Sequence, residues 1–229
     1  PRDRLITRVP SPMQANVAHL LLIIATLFVL GATGGYAWRH RRAPGGAAFT
    51  LFVAAAWAWT FLVGAMAVAE PAVARTLLSV KYLAIGLTST ATFLFIARRT
   101  GHLSRLSRAG TAALFVIPVL GHLASFRDGA GMLRAVTFAR AHDLTHIAAL
   151  SFGPLYWLFT GYSYTLILWS LAFLLAARRE GDALARTQAG ALALGVVAPL
   201  ASNVLLITGI APRAFDPMPF GIAISAVCL

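Results

Sequence analysis

The chain has 229 residues, of which 59% are hydrophobic and only 11% charged, and its mean hydropathy is +0.78. Soluble domains carry about 25% charged residues, so these figures exclude a water-soluble globular protein and predict a polytopic membrane protein. The formal charge of +12 would suit a nucleic-acid binder. However, the arginines stand in short runs between apolar segments, which is the topology signal of membrane helices, and nucleic acid is excluded as a partner. The lone Cys228 cannot build an internal disulfide framework.

Residues 1–16 are polar and broken by prolines, and they read as an extracytoplasmic tail. From residue 17 onward the chain reads as one all-α domain, a seven-transmembrane helix bundle. Apolar runs predict helices at 17–37, 47–69, 76–97, 109–126, 151–177, 188–208 and 217–229. A helix rises about 1.5 Å per residue and needs about 20 residues to cross the hydrocarbon core. The seventh run stops after 13 residues, so the expectation is a truncated helix that continues beyond Leu229. No cleavable signal peptide is read, because the first run is followed by Arg39-His40-Arg41-Arg42 and not by small cleavage-site residues.

Arginine placement predicts orientation. The loops after the first, third and fifth segments hold Arg39, Arg41 and Arg42, then Arg98, Arg99, Arg105 and Arg108, then Arg178, Arg179 and Arg186. The two short loops on the other side hold one arginine each, Arg75 and Arg213. Its remaining arginines lie in the free tail and in the long 127–150 loop, where they weigh less. The carboxylates agree: Asp3, Glu70, Asp128, Asp143 and Asp216 fall on one side, Glu180 and Asp182 on the other. The expected protein is a multi-pass plasma-membrane protein with its N-terminus outside and its seventh helix running toward the cytoplasm.

The fifth segment is the most informative. Residues 153–175, GPLYWLFTGYSYTLILWSLAFLL, carry no charge yet place Tyr156, Trp157, Tyr162, Ser163, Tyr164, Thr165 and Trp169 inside an apolar run. Polar groups left unsatisfied in lipid are costly, so this helix should face other helices or a cavity among them. Pro118, Pro154 and Pro199 fall in or at the edge of the fourth, fifth and sixth segments and invite kinks. Asn203, one turn after Pro199, could satisfy the freed carbonyls or line a pocket. Asp216 followed by Pro217 reads as a helix cap.

The 127–150 loop permits two structures: Val136 and Phe138 hint at a short hairpin, while the later half could be a helical turn. In a helix, His142 and His146 of HDLTH would share one face. With His19, His122, Glu70, Asp143 and Asp216 on the same side, they could form a zinc site using His122, His142 and His146, or a pH-responsive cluster. Solvated loop histidines are the simpler reading. Lys81, the only lysine, could pair with Glu70, hold a ligand, or snorkel to the interface. No nucleophile–base pair, phosphate loop or charged conduction path is evident, so no catalysis and no cofactor are expected.

With these features placed, the chain resembles the seven-transmembrane sensor module at the N-terminus of many bacterial and archaeal histidine kinases, also found before PAS and diguanylate cyclase modules. The resemblance covers nearly the whole chain. It rests on WAWTFLVGAMAVAE (57–70), KYLAIG (81–86), FLFIARRTG (93–101), GPLYWLFTGYSY (153–164), RTQAGALALGVVAPLASNVLLITG (186–209) and FDPMPFGIAIS (215–225). The order and spacing of the last three are the specific element. Two positions depart from the family pattern: only His122 stands where the family often has an Asn and a His after the fourth helix, and Met218 replaces a Thr common before the final proline. Both departures lie on the side assigned to sensing, so ligand identity is not carried over. A retinal protein shares the helix count, but its Schiff-base lysine on the seventh helix has no counterpart in 217–229.

The resemblance implies a receptor domain that passes an extracytoplasmic or membrane-borne stimulus through the seventh helix to a cytoplasmic output domain, with dimerisation through that domain. The expected cavity lies among the second, third, fifth, sixth and seventh segments, with Glu70, Lys81, Tyr156, Trp157, Tyr162, Tyr164 and Asn203 as candidate lining. The competing readings are a small transporter or scaffold subunit and, lowest, a metal-dependent membrane enzyme built on HDLTH.

Overall fold

The computed structural model describes residues 12–102, 107–126, 131–141, 144–180, 183–208 and 217–229. In chain order the elements are α1 (Pro12–Arg39), α2 (Gly46–Val68), α3 (Pro71–Arg99), α4 (Arg108–Ala113), α5 (Val116–Ser125), β1 (Leu133–Ala141), β2 (Leu144–Phe152), α6 (Pro154–Glu180), α7 (Ala183–Ile207) and α8 (Met218–Cys228). The chain is an all-α seven-helix membrane bundle: among the described residues six helical spans are long and apolar enough to cross a membrane, and α8 is a shorter apolar seventh. The α4–α5 pair makes up one span. α1 begins at Pro12, so residues 12–16 of the predicted tail are helical.

The surface follows from the solvent. Leu21, Phe28, Phe61, Leu158, Leu168 and Leu194 are all exposed, Phe28 by 76%. On a water-soluble protein such a surface would be an aggregation hazard, whereas lipid makes it the expected exterior. The interior carries the hydroxyls, with Thr60, Ser79, Thr88, Ser89, Thr90, Thr92, Ser163, Ser170 and Ser225 all buried. Many of them donate to the carbonyl one turn back, as Thr88 does to Ala84 O at 2.8 Å and Ser170 to Leu166 O at 2.8 Å. Small side chains satisfied in this way let helices approach closely, which is how helices associate in lipid.

α3 is the hub. Its apolar window is 72% buried, against 17% for α1, and it packs on α2, α5 and α6. One half of α3 contributes Phe93, Leu94 and Ile96 to a core with Leu166, Leu174, Leu192 and Val196. A second core joins Leu30, Phe52, Val53 and Trp59 to Met218 and Ile222 of α8. The third, with Met66, Leu78, Tyr82, Met132 and Phe159, lies at the end of the bundle that carries the hairpin. The tight α1–α2 corner requires its two glycines: Gly45 has φ 82°, and a Cβ on Gly46 would strike the His40 carbonyl.

The backbone corrects two sequence expectations and decides one that was open. First, the predicted helix over 109–126 is two helices, broken at Leu114–Phe115. Pro118 has no N–H to give the Leu114 carbonyl four residues back, and its ring crowds that carbonyl. Second, residues 133–152 form an antiparallel hairpin, with bulges between Leu133 and Ala135 and between Thr137 and Phe138. Met132, Leu133, Val136 and Phe138 pack into the third core, and beyond the first bulge Val136 and Phe138 face inward on either side of the exposed Thr137, as in an extended strand. Third, residues 151–152 belong to β2, and the fifth predicted helix begins at Pro154. There the carbonyl of Gly131 accepts the N–H of Leu155 at 2.8 Å and of Tyr156 at 3.3 Å, satisfying donors the first turn leaves open.

Candidate functional site

A cavity of about 90 Å³ lies between five helices, and these correspond to the second, third, fifth, sixth and seventh predicted segments. α2 supplies Phe52 and Trp59; α3 supplies Ile85, Thr88, Ser89 and Thr92. α6 adds Tyr164 and Ile167, and α7 adds Gly195, Val196, Pro199, Leu200 and Asn203. The remaining wall is α8, through Met218, Ile222 and Ser225. No lining residue is charged. Tyr164 lies ten residues into α6, roughly 15 Å from its start, so the cavity is at mid-bundle depth.

The polar groups are few and specific. Asn203 Nδ2 donates to the Tyr164 hydroxyl, which ties α7 to α6 beside Pro199. With that bond accepted, the Tyr164 hydroxyl retains its own proton to give. Trp59 is only 7% exposed, and its indole Nε1 has no hydrogen-bond partner. A buried donor left unpaired costs about 1–3 kcal/mol, and such groups in native structures call for an explanation. The hydroxyls of Thr88, Ser89 and Thr92 already donate to carbonyls of α3 itself.

α8 meets this site at close range. A Cβ on Gly221 would meet the Ser202 hydroxyl and would lie 2.8 Å from Ala198 O and 2.9 Å from Pro199 Cα. A Cβ on Gly195 would lie 3.0 Å from Cys228 Cβ. At Gly221 only glycine lets α7 and α8 pack backbone to backbone at the proline, while at Gly195 a Cβ would be a tight fit against the Cys228 side chain.

Of the seven residues expected to line a cavity, Tyr164 and Asn203 do so together, and the other five do not. Tyr162, two residues before Tyr164 on α6, points to α3 and α5. Its hydroxyl donates to the Leu114 carbonyl freed by Pro118 and lies 3.0 Å from Thr90 Oγ1. Tyr156 stacks on Phe152 at 3.8 Å between ring centroids and meets Tyr82 edge-on at 6.4 Å, beneath the hairpin. Trp157 is 63% exposed on the outer face. Glu70 is exposed at the start of α3, directly before Pro71. Lys81 is half-buried on the same helix, eleven residues and about 16 Å of rise beyond Glu70.

The HDLTH segment is not a helix. The backbone is strand up to Ala141 and again from Leu144, so the helical face that would have joined His142 to His146 is not formed. His146 lies in β2 opposite Ala139, while His142, Asp143 and Asp216 lie outside the described residues. His122 gives its Nδ1 proton to Ser79 O at 3.1 Å, tying α5 to α3. Among the described residues, no group of three or more His, Cys, Asp or Glu could hold a metal ion.

A larger opening of about 360 Å³ lies at the hairpin end between α3, α5 and β1, lined by Arg75, Ser79, Ser125, Arg134 and Val136 among others. Its lining is mostly polar, whereas the inter-helix cavity is mostly apolar and shares a wall with the last helix. The sequence reading missed Trp59. It stands two residues from Trp57, which is 40% exposed and stacks on Phe61 at 5.4 Å. Two residues are about 200° of helical turn, so one tryptophan must face inward when the other faces lipid.

No curated protein matches this chain significantly. Residues 21–229 match the family described as the N-terminal 7TM region of histidine kinase, which covers most of α1, all of α2 to α8 and the cavity among them. The chain belongs to that family, as a multi-pass membrane region with a place in signal transduction.

Proposed function

We propose that this chain is the sensory part of a receptor, in which a stimulus held among α2, α3, α6, α7 and α8 repacks α8, and α8 hands the change to a following cytoplasmic output domain. That domain would be a histidine kinase or a similar module. The carrying observation is that α8 forms one wall of the cavity through Met218, Ile222 and Ser225. Whatever fills the space therefore pushes directly on the last helix, and no relay through loops is needed.

The physics sets one condition. A stimulus shifts the bundle only if it binds two packings with different affinity; equal affinity shifts nothing. The glycine contacts between α7 and α8 supply a packing with little slack, and close-packed interfaces tend to switch between discrete arrangements. The arginine-poor short loops at the hairpin end support placing that end outside the cell, with Leu229 toward the cytoplasm. By analogy with kinases, we infer a homodimer joined through the output domain.

The test is made on the receptor carrying its output domain. Asn203→Ala and Tyr164→Phe should change basal autophosphorylation or its response while leaving expression and membrane insertion intact. Wild-type output in both variants would remove the cavity from the signalling path.

A further inference from the structure

The hairpin end of the bundle holds a concavity whose chemistry is the reverse of the inter-helix cavity. The opening between α3, α5 and β1 measures about 360 Å³, within the ~300–1,000 Å³ usual for ligand pockets. Two guanidiniums line it from different elements, Arg75 on α3 and Arg134 on β1, and no Asp or Glu is among its lining residues. Arg75 Nη2 donates to the Val136 carbonyl at 3.5 Å, which holds α3 against β1. A guanidinium carries five N–H donors and does not lose its charge. Arg75 can therefore brace the strand and present positive charge to the opening at once.

The remaining walls are already knit together. Ser79 donates to the Ser125 carbonyl at 3.1 Å, Ser125 to the His122 carbonyl at 2.7 Å, and His122 Nδ1 lies 3.1 Å from Ser79 O. These bonds tie α3 to α5 and commit the serine protons. The two arginines and the exposed Thr76 are the other side-chain donors of the lining.

Position narrows the class of ligand. Arg75 lies four residues into α3, roughly 6 Å from its start. Phe126, which lines the opening, is 52% exposed, and Leu123 nearby on α5 is 57% exposed. That apolar face is made for lipid, so the opening stands where hydrocarbon gives way to headgroups. Phosphate is the group found at that depth, and the arginine fork matches its oxygens in pairs.

We propose that this concavity binds the phosphate of an anionic phosphate ester between Arg75 and Arg134. The ester has two sources, the headgroup of an anionic phospholipid with its chains along Leu123 and Phe126, or a soluble phosphate ester from outside the bilayer. A choline headgroup fits poorly, because the lining holds no carboxylate to meet its trimethylammonium. The site does not depend on the sensory reading of the inter-helix cavity.

The test uses the receptor with its output domain in nanodiscs, with hydrogen exchange read over residues 132–138. Phosphatidylcholine discs are the baseline. One arm adds phosphatidylglycerol to the disc, and the other titrates glycerol 3-phosphate into phosphatidylcholine discs. Binding slows local opening by the factor 1 + [L]/Kd, so a probe at about 2–9 times its Kd should slow exchange by about 3–10-fold. Slowing by phosphatidylglycerol alone would assign the lipid headgroup, and slowing by glycerol 3-phosphate would assign a soluble ester. Arg134 is exposed, so Arg134→Gln should fold normally and lose most of the slowing. Arg134→Lys should keep part of it, and Arg178→Gln, at the other end of the bundle, all of it. No slowing by either probe, or slowing that persists in Arg134→Gln and in Arg75→Gln, would overturn the proposal.

Discussion

Two prolines stand in the helices of the bundle, and their surroundings differ. Pro118 frees the Leu114 carbonyl, which is taken at once by the Tyr162 hydroxyl and, at 3.5 Å, by Thr90 Oγ1. Around it the packing leaves no room: a Cβ on Gly86 would come within 2.8 Å of Pro118 Cβ, and one on Gly121 within 2.7 Å of the Phe159 ring. Pro199 in α7 is close-packed against α8 at Gly221 and also borders the cavity. The break at Pro118 is stapled, whereas Pro199 stands inside the unbroken α7 beside free volume. A proline alone therefore does not mark a moving part; what lies next to the freed backbone decides it.

That contrast can be broken from either side. The largest expected effect is at the stapled site. Gly121→Val drives two methyl groups into Phe159 and should destabilise the bundle by about 1–3 kcal/mol or more, read as lost monodispersity and a lower midpoint in detergent melts. Gly221→Val, placed against Ala198 O and Pro199, meets a similar steric cost but beside the cavity. It should shift output strongly at a smaller loss of stability than Gly121→Val, and equal melting with unchanged output would erase the distinction. Tyr162→Phe leaves the Leu114 carbonyl with only the long Thr90 bond and should cost about 1–3 kcal/mol. Tyr164→Phe should cost less, about 0.5–1.5 kcal/mol, because its partner Asn203 can turn into the cavity. The smallest effect is at the hairpin, where Thr145 donates to Ala69 O at 2.5 Å. Thr145→Val should speed hydrogen exchange in β1 and β2 by about 2–10-fold while output stays at the wild-type level.

Much of the bundle is legible in the sequence because lipid imposes a length: uncharged runs such as 153–175 have few alternatives to a membrane helix. The interruptions are less legible. Pro118 marks the 109–126 run for a kink near Leu114 four residues back, but the sequence does not tell a kinked helix from the two helices that form. The 127–150 segment suits hairpin or helix until Met132 and Val136 find the third core. Within the site, Tyr164 and Asn203 stood out because polar groups are rare in such helices. Trp59 did not, since α2 is apolar on every face and offers no amphipathic pattern to tell inside from outside. Tyr162 and Tyr164 are indistinguishable by type, and only their directions on α6 assign one to the staple and the other to the cavity.

The claim that everything turns on is mechanical: α8 must shift against α7 for the receptor to signal. The native Cys228 lies opposite Gly195, where a Cβ would be 3.0 Å from Cys228 Cβ, close to the 3.5–4.5 Å of a disulfide. In the receptor with its output domain, Gly195→Cys should form that bond on oxidation. Autophosphorylation should then hold at one fixed level and recover its response on reduction, with Gly195→Ala unaffected by either treatment. A cross-link that forms fully, while output continues to respond as in the wild type, would contradict the account.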